Sequence, residues 1–128
     1  MHIKNKLSII TELLRIKPID VKEVYMLFMI NIKNRIFKIF KENNISFTES
    51  YIDIIGCTIE ELETYFIHKF VDGMTFHNYG EWEVDHIIPV SSFDFSNYEN
   101  INKCFHYSNL QSLWKKDNRT KFNKISVV

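Results

Sequence analysis

Residues 82–89 are Trp-Glu-Val-Asp-His-Ile-Ile-Pro, and residues 109–114 are Asn-Leu-Gln-Ser-Leu-Trp. The first stretch alternates apolar or aromatic residues with polar ones and is rich in β-branched residues, which is the pattern of a half-buried β-strand, and we expect a second strand in the other stretch. Pro89 ends the pairing of the first strand, because proline has no N–H to donate to the neighbouring strand. The sequence therefore predicts two short strands, over residues 82–88 and 110–114.

Helical patterns precede the strands. Residues 7–16 carry apolar residues at the spacing of a helix, which is expected to end near Pro18. Asp20 is expected to cap a second helix in a capping box with Glu23, and this helix runs to about Glu42. It is amphipathic, so we interpret it as scaffold first and as a phosphate contact second.

A third helix is predicted to begin at Thr58, with Glu61 at the capping-box position, and to run to about Val71. Residues 45–57 before it are interpreted as a connection without regular structure. These elements, followed by the strands, predict an α+β fold with helices at the N-terminal end.

The remaining predictions concern the segments around the second strand. Residues 91–105 are interpreted as a polar loop with scattered aromatic residues. Residues 115–123 are predicted to form a short, basic final helix. The chain is divided into a helical portion over residues 1–54, able to contact DNA, and a C-terminal unit over residues 55–128.

Composition and cysteine content exclude several classes of protein. The chain has 128 residues, which suits one domain, and no stretch reaches the roughly 18 apolar residues of a membrane span. No secretory signal pattern is present.

Cys57 and Cys104 form no Cys-x-x-Cys pair, which excludes a disulfide framework and a four-cysteine zinc site. Cys104 and His106 alone are too few for structural zinc, so we expect none, and an intracellular location without a membrane.

The net charge of zero conceals a segregation of charge along the chain. Residues 1–46 hold 9 Lys+Arg and 4 Asp+Glu, residues 47–100 hold 1 and 11, and residues 101–128 hold 6 and 1. Basic ends around an acidic centre suit a protein whose ends contact phosphate while its centre holds a cation. Three solvated surfaces with uneven charge explain the pattern equally well.

Asp85 and His86 supply two kinds of chemistry at adjacent positions. Aspartate is a hard oxygen ligand for Mg²⁺ or a similar cation, and Asn118 offers a neutral amide oxygen as a second ligand. Histidine has an ordinary pKa near neutrality, so it can accept a proton from water. Adjacent strand residues point to opposite faces, so the pair serves one site only if the strand bends at its end, next to Pro89. By itself an Asp-His pair is more often a surface acid and a structural histidine.

The combined pattern from Trp82 to Lys124 resembles the HNH endonuclease family: Asp-His-Ile-Ile-Pro, a variable loop, Asn-Leu-Gln-x-Leu-Trp and then Asn-x-x-Lys. The run from Gly56 to Gly80 is similar to the leader of many phage and giant-virus HNH proteins. The resemblance covers roughly residues 55–124. It implies a ββα-metal unit, in which a two-stranded hairpin and a helix hold one divalent cation, Mg²⁺ first and Mn²⁺ or a similar ion otherwise.

The resemblance also implies a role for each matching residue. His86 is the general base that activates water, and Asp85 is the first metal ligand. Asn109 is placed with the catalytic residues because it steadies the hairpin loop and orients the histidine. Asn118 stands where the family has its last His or Asn metal ligand, which makes this chain an HNN variant. The basic residues expected to contact DNA phosphates are Lys115, Lys116, Arg119, Lys121 and Lys124.

The implied activity is metal-dependent hydrolysis of phosphodiester bonds in DNA, most simply double-stranded DNA. One active site breaks one strand, so a double-strand cut requires a homodimer or two successive visits. The first alternative is a DNA-binding or regulatory module that keeps the fold without catalysis. The second is a small helical interaction protein in which Asp85 and His86 are incidental.

Overall fold

The computed structural model describes residues 20–118 and shows an α+β fold, as predicted. The helices are α1 (Val21–Glu42), α2 (Tyr51–Ile55), α3 (Ile59–Lys69) and α4 (Glu99–Phe105), and the strands are β1 (Trp82–His86) and β2 (Leu110–Trp114). Single 3₁₀ turns lie at Phe76–Asn78, Val90–Ser92 and Tyr107–Asn109. Residues 115–118 begin a further helix, while the predicted helix over residues 7–16 lies outside the described residues.

Helix α1 is the scaffold of the fold. The Asp20 carboxylate caps it by accepting from the main-chain N–H of Lys22 at 2.9 Å, rather than from that of Glu23 as a capping box requires. Every fourth residue is apolar and almost fully buried, which places one face of the helix in the core. These residues are Val24, Phe28, Ile32, Ile36 and Phe40.

Helix α3 begins as predicted, with a reciprocal capping box. The main-chain N–H of Thr58 donates to the Glu61 carboxylate at 3.2 Å, and the N–H of Glu61 donates to the Thr58 hydroxyl at 3.1 Å. The helix ends at Lys69, two residues before the predicted end at Val71. Its buried residues are Leu62 and Phe66, and the Phe66 ring packs against Phe28 of α1 and Trp82 of β1.

Two segments predicted to be irregular contain short helices, and those predictions were wrong. Within residues 45–57, Ser50 caps α2, which ends at Gly56 in the left-handed conformation with φ 83°. Within residues 91–105, α4 occupies the last seven positions. Both helices are too short for a clear apolar period, and they are stabilised by burial of residues such as Ile54 and Phe105.

Trp82 occupies the centre of the core and is fully buried. Its indole N–H donates to the main-chain carbonyl of Thr75 at 2.7 Å, so its polar atom is satisfied. Its ring packs against aromatic rings from α1, α3 and the 70–79 segment, with centroid distances of 4.9 to 6.1 Å. These rings are Phe28, Phe66, Phe70, Phe76 and Tyr79. Helix α1 and the strands therefore share one core.

Hydrogen bonds from the helices fix the strands in place. The guanidinium of Arg35 in α1 donates to the Val84 carbonyl of β1 at 2.9 Å. The Tyr65 hydroxyl of α3 donates to the Leu110 carbonyl of β2 at 2.8 Å. Both strands are edges of a two-stranded sheet. The two side chains therefore satisfy carbonyls that no further strand among the described residues pairs with.

Across residues 20–118, no helix combines the length and apolar character needed to cross a bilayer.

Phe28→Ala and Phe37→Ala compare the buried and exposed sides of α1. Phe28 is fully buried, so its truncation is expected to lower the free energy of unfolding by about 3–5 kcal/mol. Phe37 is 52% exposed, and its truncation is expected to cost about 0.5 kcal/mol. Urea denaturation followed by tryptophan fluorescence measures both values. Equal losses would contradict the assigned orientation of α1.

Candidate functional site

The predicted strands pair as an antiparallel hairpin, which places the candidate residues at the end where the segment of residues 87–109 connects the two strands. His86 lies opposite Leu110, and Asp85 lies opposite Gln111. At the other end Trp82 lies opposite Trp114. The pairing is fixed at each end by a buried apolar residue, because a shift by one residue would turn Trp82 and Leu110 to the wrong face.

Asp85 is 9% exposed and its carboxylate is oriented by a neighbour on the partner strand. The Gln111 side-chain N–H donates to Asp85 Oδ2 at 2.8 Å. Residues directly opposite in an antiparallel pair project from the same face, so this contact follows from the register. Sequence reasoning assigned no role to Gln111, although pairing the two quoted stretches would have placed it opposite Asp85.

His86 ends β1 and is 7% exposed. Its ring meets the ring of Phe105 in α4 edge-to-face, with centroids 5.0 Å apart and planes at 83°. Helix α4, which sequence analysis missed, therefore positions the candidate base. Asp85 contacts β2 whereas His86 contacts α4, as expected for adjacent strand residues that point to opposite faces.

The buried side-chain amide of Asn109 holds the segment that follows His86. Asn109 Oδ1 accepts from the Ile88 N–H at 2.8 Å, and its Nδ2 donates to the carbonyls of Ile88 at 3.1 Å and Cys104 at 2.9 Å. The Asn109 carbonyl also accepts from the Ile87 N–H at 2.8 Å. Both side-chain amide hydrogens are used in these bonds, so Asn109 holds the loop and has no amide hydrogen left to donate elsewhere.

Asn118 lies in the helical turn that follows β2 directly, and it is half-buried. The N–H of Lys115 at the start of this turn donates to the Glu81 carbonyl at 3.0 Å, which fixes where the chain leaves the hairpin. Lys115 and Lys116 are exposed. The other predicted phosphate contacts lie outside the described residues: Arg119, Lys121 and Lys124.

The metal-binding capacity of the described part of the chain is small. Among residues 20–118, no cluster of three or more His, Cys, Asp or Glu side chains could hold a metal ion. The expected donor set is smaller, one carboxylate from Asp85 and one amide from Asn118, and it suits Mg²⁺, which keeps several water ligands. Burial raises the pKa of the Cys104 thiol to about 12, so it stays protonated at neutral pH and is a poor zinc ligand.

Two proteins of Acanthamoeba polyphaga mimivirus, both described as uncharacterized, are similar to this chain. One is 37% identical over 90 residues, which are 70% of this chain and 38% of that protein. The other is 28% identical over 95 residues, which are 73% of this chain and 41% of that protein. The chain thus spans about two-fifths of the length of these curated relatives. No family model matches the chain, and no solved structure matches it.

Asn109→Ala tests whether this amide holds the hairpin connection. The change leaves the Cys104 carbonyl buried without its partner, at about 1–3 kcal/mol, and removes the partly buried bond from the Ile88 N–H, at about 0.5–1.5 kcal/mol. Urea denaturation is expected to show a loss of about 1.5–4.5 kcal/mol. The control is Asn100→Ala, which removes one bond to the Asp94 carbonyl and should cost at most about 1.5 kcal/mol. Similar losses for both variants would sink the positioning role.

Proposed function

We propose that the chain is a metal-dependent endonuclease of the HNH type, which hydrolyses phosphodiester bonds in DNA. The observation that carries the proposal is the connected end of the hairpin, where β1 ends and β2 begins. There Asp85 and His86 end one strand, and Asn109 from the start of the other clamps the connection after them. This is the arrangement that the resemblance to HNH endonucleases requires of these three residues.

Chain geometry supports convergence of Asp85 and Asn118 on one cation. Asp85 lies three residues along β1 from Trp82, or about 10 Å, and Trp82 is opposite Trp114. The proposal requires the helix that starts at residue 115 to run back over the face of the hairpin that carries Asp85; at about 1.5 Å per residue it then covers about 6 Å by Asn118. The remaining gap is within the combined reach of the two side chains.

The residues of the site divide the hydrolysis between them. A bound Mg²⁺ ion would offset the charge that builds up on the phosphate. His86 accepts a proton at a ring nitrogen from the attacking water, whose oxygen bonds to phosphorus as the bond to the leaving sugar oxygen breaks. Gln111 holds the Asp85 carboxylate in one orientation. Exposed Lys115 and Lys116 are placed for phosphate contact, with Arg119, Lys121 and Lys124 following in sequence.

The 7% exposure of His86 favours a second candidate function, a DNA-binding or regulatory module without catalysis. A buried imidazole against Phe105 is also what a purely structural histidine would show. The two candidates share the DNA partner and differ in whether water reaches the imidazole. We also propose an intracellular setting, and for a cut through both strands either a homodimer or two successive visits; these parts of the proposal rest on sequence arguments alone.

His86→Ala tests the proposed base. Nicking of supercoiled plasmid by the wild-type chain with Mg²⁺ or Mn²⁺ is expected, and the variant should lose about 10²–10⁴ in rate while retaining DNA binding in a gel-shift assay. The matched control is His77→Ala, because His77 is exposed and lies outside the hairpin. A His86→Ala variant that nicks at the wild-type rate would refute the assignment. DNA binding without nicking by the wild type would favour the second candidate.

Asp85→Ala tests the proposed cation site separately from the base. Calorimetric titration with Mn²⁺ is expected to show weaker binding by this variant, with a dissociation constant at least tenfold larger, because the carboxylate ligand is removed. Asp72→Ala is the control, since Asp72 is exposed and outside the hairpin. Wild-type affinity in the Asp85→Ala variant would contradict the site, whatever the nicking assay shows.

A further inference from the structure

Ile87 and Ile88 form an exposed apolar tip immediately after the candidate base. They are 43% and 53% exposed, although isoleucine is among the residues most often buried in proteins. Consecutive Cα atoms are about 3.8 Å apart, so both residues lie within about 8 Å of the His86 Cα. Any duplex that presents a phosphate to His86 must therefore approach this isoleucine tip.

The isoleucine tip is held rigidly. The N–H groups of Ile87 and Ile88 and the Ile88 carbonyl all bond to Asn109, at 2.8, 2.8 and 3.1 Å. Pro89 follows with φ −65°, which its ring fixes. Isoleucine side chains also have few χ1 rotamers. Contact with a ligand would thus cost little conformational entropy, which favours binding by this tip.

The local charge allows the tip to approach a polyanion. Residues 47–100 hold 1 Lys+Arg and 11 Asp+Glu, whereas the run from Ile87 to Phe93 contains neither an acidic nor a basic side chain. The tip can therefore lie against a phosphate backbone, because residues 87–93 carry no carboxylate that would repel the phosphates. A rigid, uncharged and apolar projection beside a phosphate site suits the stacked bases of DNA better than the phosphates themselves.

We propose that Ile87 and Ile88 act as a wedge that opens the base step beside the scissile phosphate. Isoleucine is one of the side chains that partly unstack base steps from the minor groove in DNA-bending proteins. Pyrimidine–purine steps such as TA and CA/TG open most readily, so the wedge would select them next to the cut. This proposal rests on the nuclease function proposed above, and it adds a determinant of site preference.

The test compares Ile87→Thr/Ile88→Thr and Ile88→Thr with the wild type. Threonine keeps the β-branched shape and removes the apolar surface. The first substrate is an intact duplex containing the preferred wild-type cleavage site. The second carries an abasic nucleotide at the adjacent step, which is therefore already unstacked. The control is Ile52→Thr, because Ile52 has a similar exposure of 45% and lies in α2, away from the hairpin.

The double variant is expected to cut the intact duplex about tenfold more slowly, and the abasic duplex within about twofold of wild type. Mapped cuts should also lose their enrichment at TA and CA/TG steps.

Equal loss on both substrates, or unchanged rate and preference, would overturn the wedge while leaving the nuclease function standing. A change from dimer to monomer in light scattering would overturn it in favour of a self-contact. A wild-type chain that cuts neither substrate would overturn the nuclease function and the wedge together.

Discussion

The side-chain amide of Asn109 bonds to the main chain on both sides of the hairpin connection, and the site depends on this one group. On one side it holds Ile88, two residues after His86. On the other it holds the Cys104 carbonyl in α4, next to Phe105, whose ring packs on the His86 ring. A polar group that is buried must be satisfied, so these bonds are costly to break and the arrangement has little freedom. Strand, loop and helix thereby meet at the candidate base.

Burial gives the candidate site its electrostatic character. Asp85 and His86 are 9% and 7% exposed, so charges near them are screened less than charges on the surface. A buried carboxylate is costly unless donors or cations compensate it, and Gln111 supplies one donor. A divalent cation would compensate the charge of the Asp85 carboxylate further, and it would also attract a phosphate group to the site. In the proposed function, the exposed isoleucines Ile87 and Ile88 and the exposed lysines Lys115 and Lys116 would contact the duplex first.

The elements that sequence analysis predicted correctly are those with a local signal. Alternation placed β1, which ends at His86, two residues before the predicted end, and the Thr58–Glu61 pair placed the start of α3, because each pattern is complete within a few residues. Helices α2 and α4 have no such signal, since their stability comes from burial against distant parts of the chain. The contact of Phe105 with His86 is of this long-range kind. The bond from Gln111 to Asp85, by contrast, followed from the strand register and could have been predicted.

We propose that Asp85 and Asn118 hold one cation on the hairpin, next to His86 in the chain. Paramagnetic broadening by Mn²⁺ tests this directly, because it depends on distance from the ion and not on catalysis. In a ¹H–¹⁵N spectrum, substoichiometric Mn²⁺ is predicted to broaden the signals of Asp85, His86 and Asn118 first, saturating at about one ion per chain. Broadening that begins instead at the acidic first turn of α3, which holds Glu60 and Glu61, would contradict the claim.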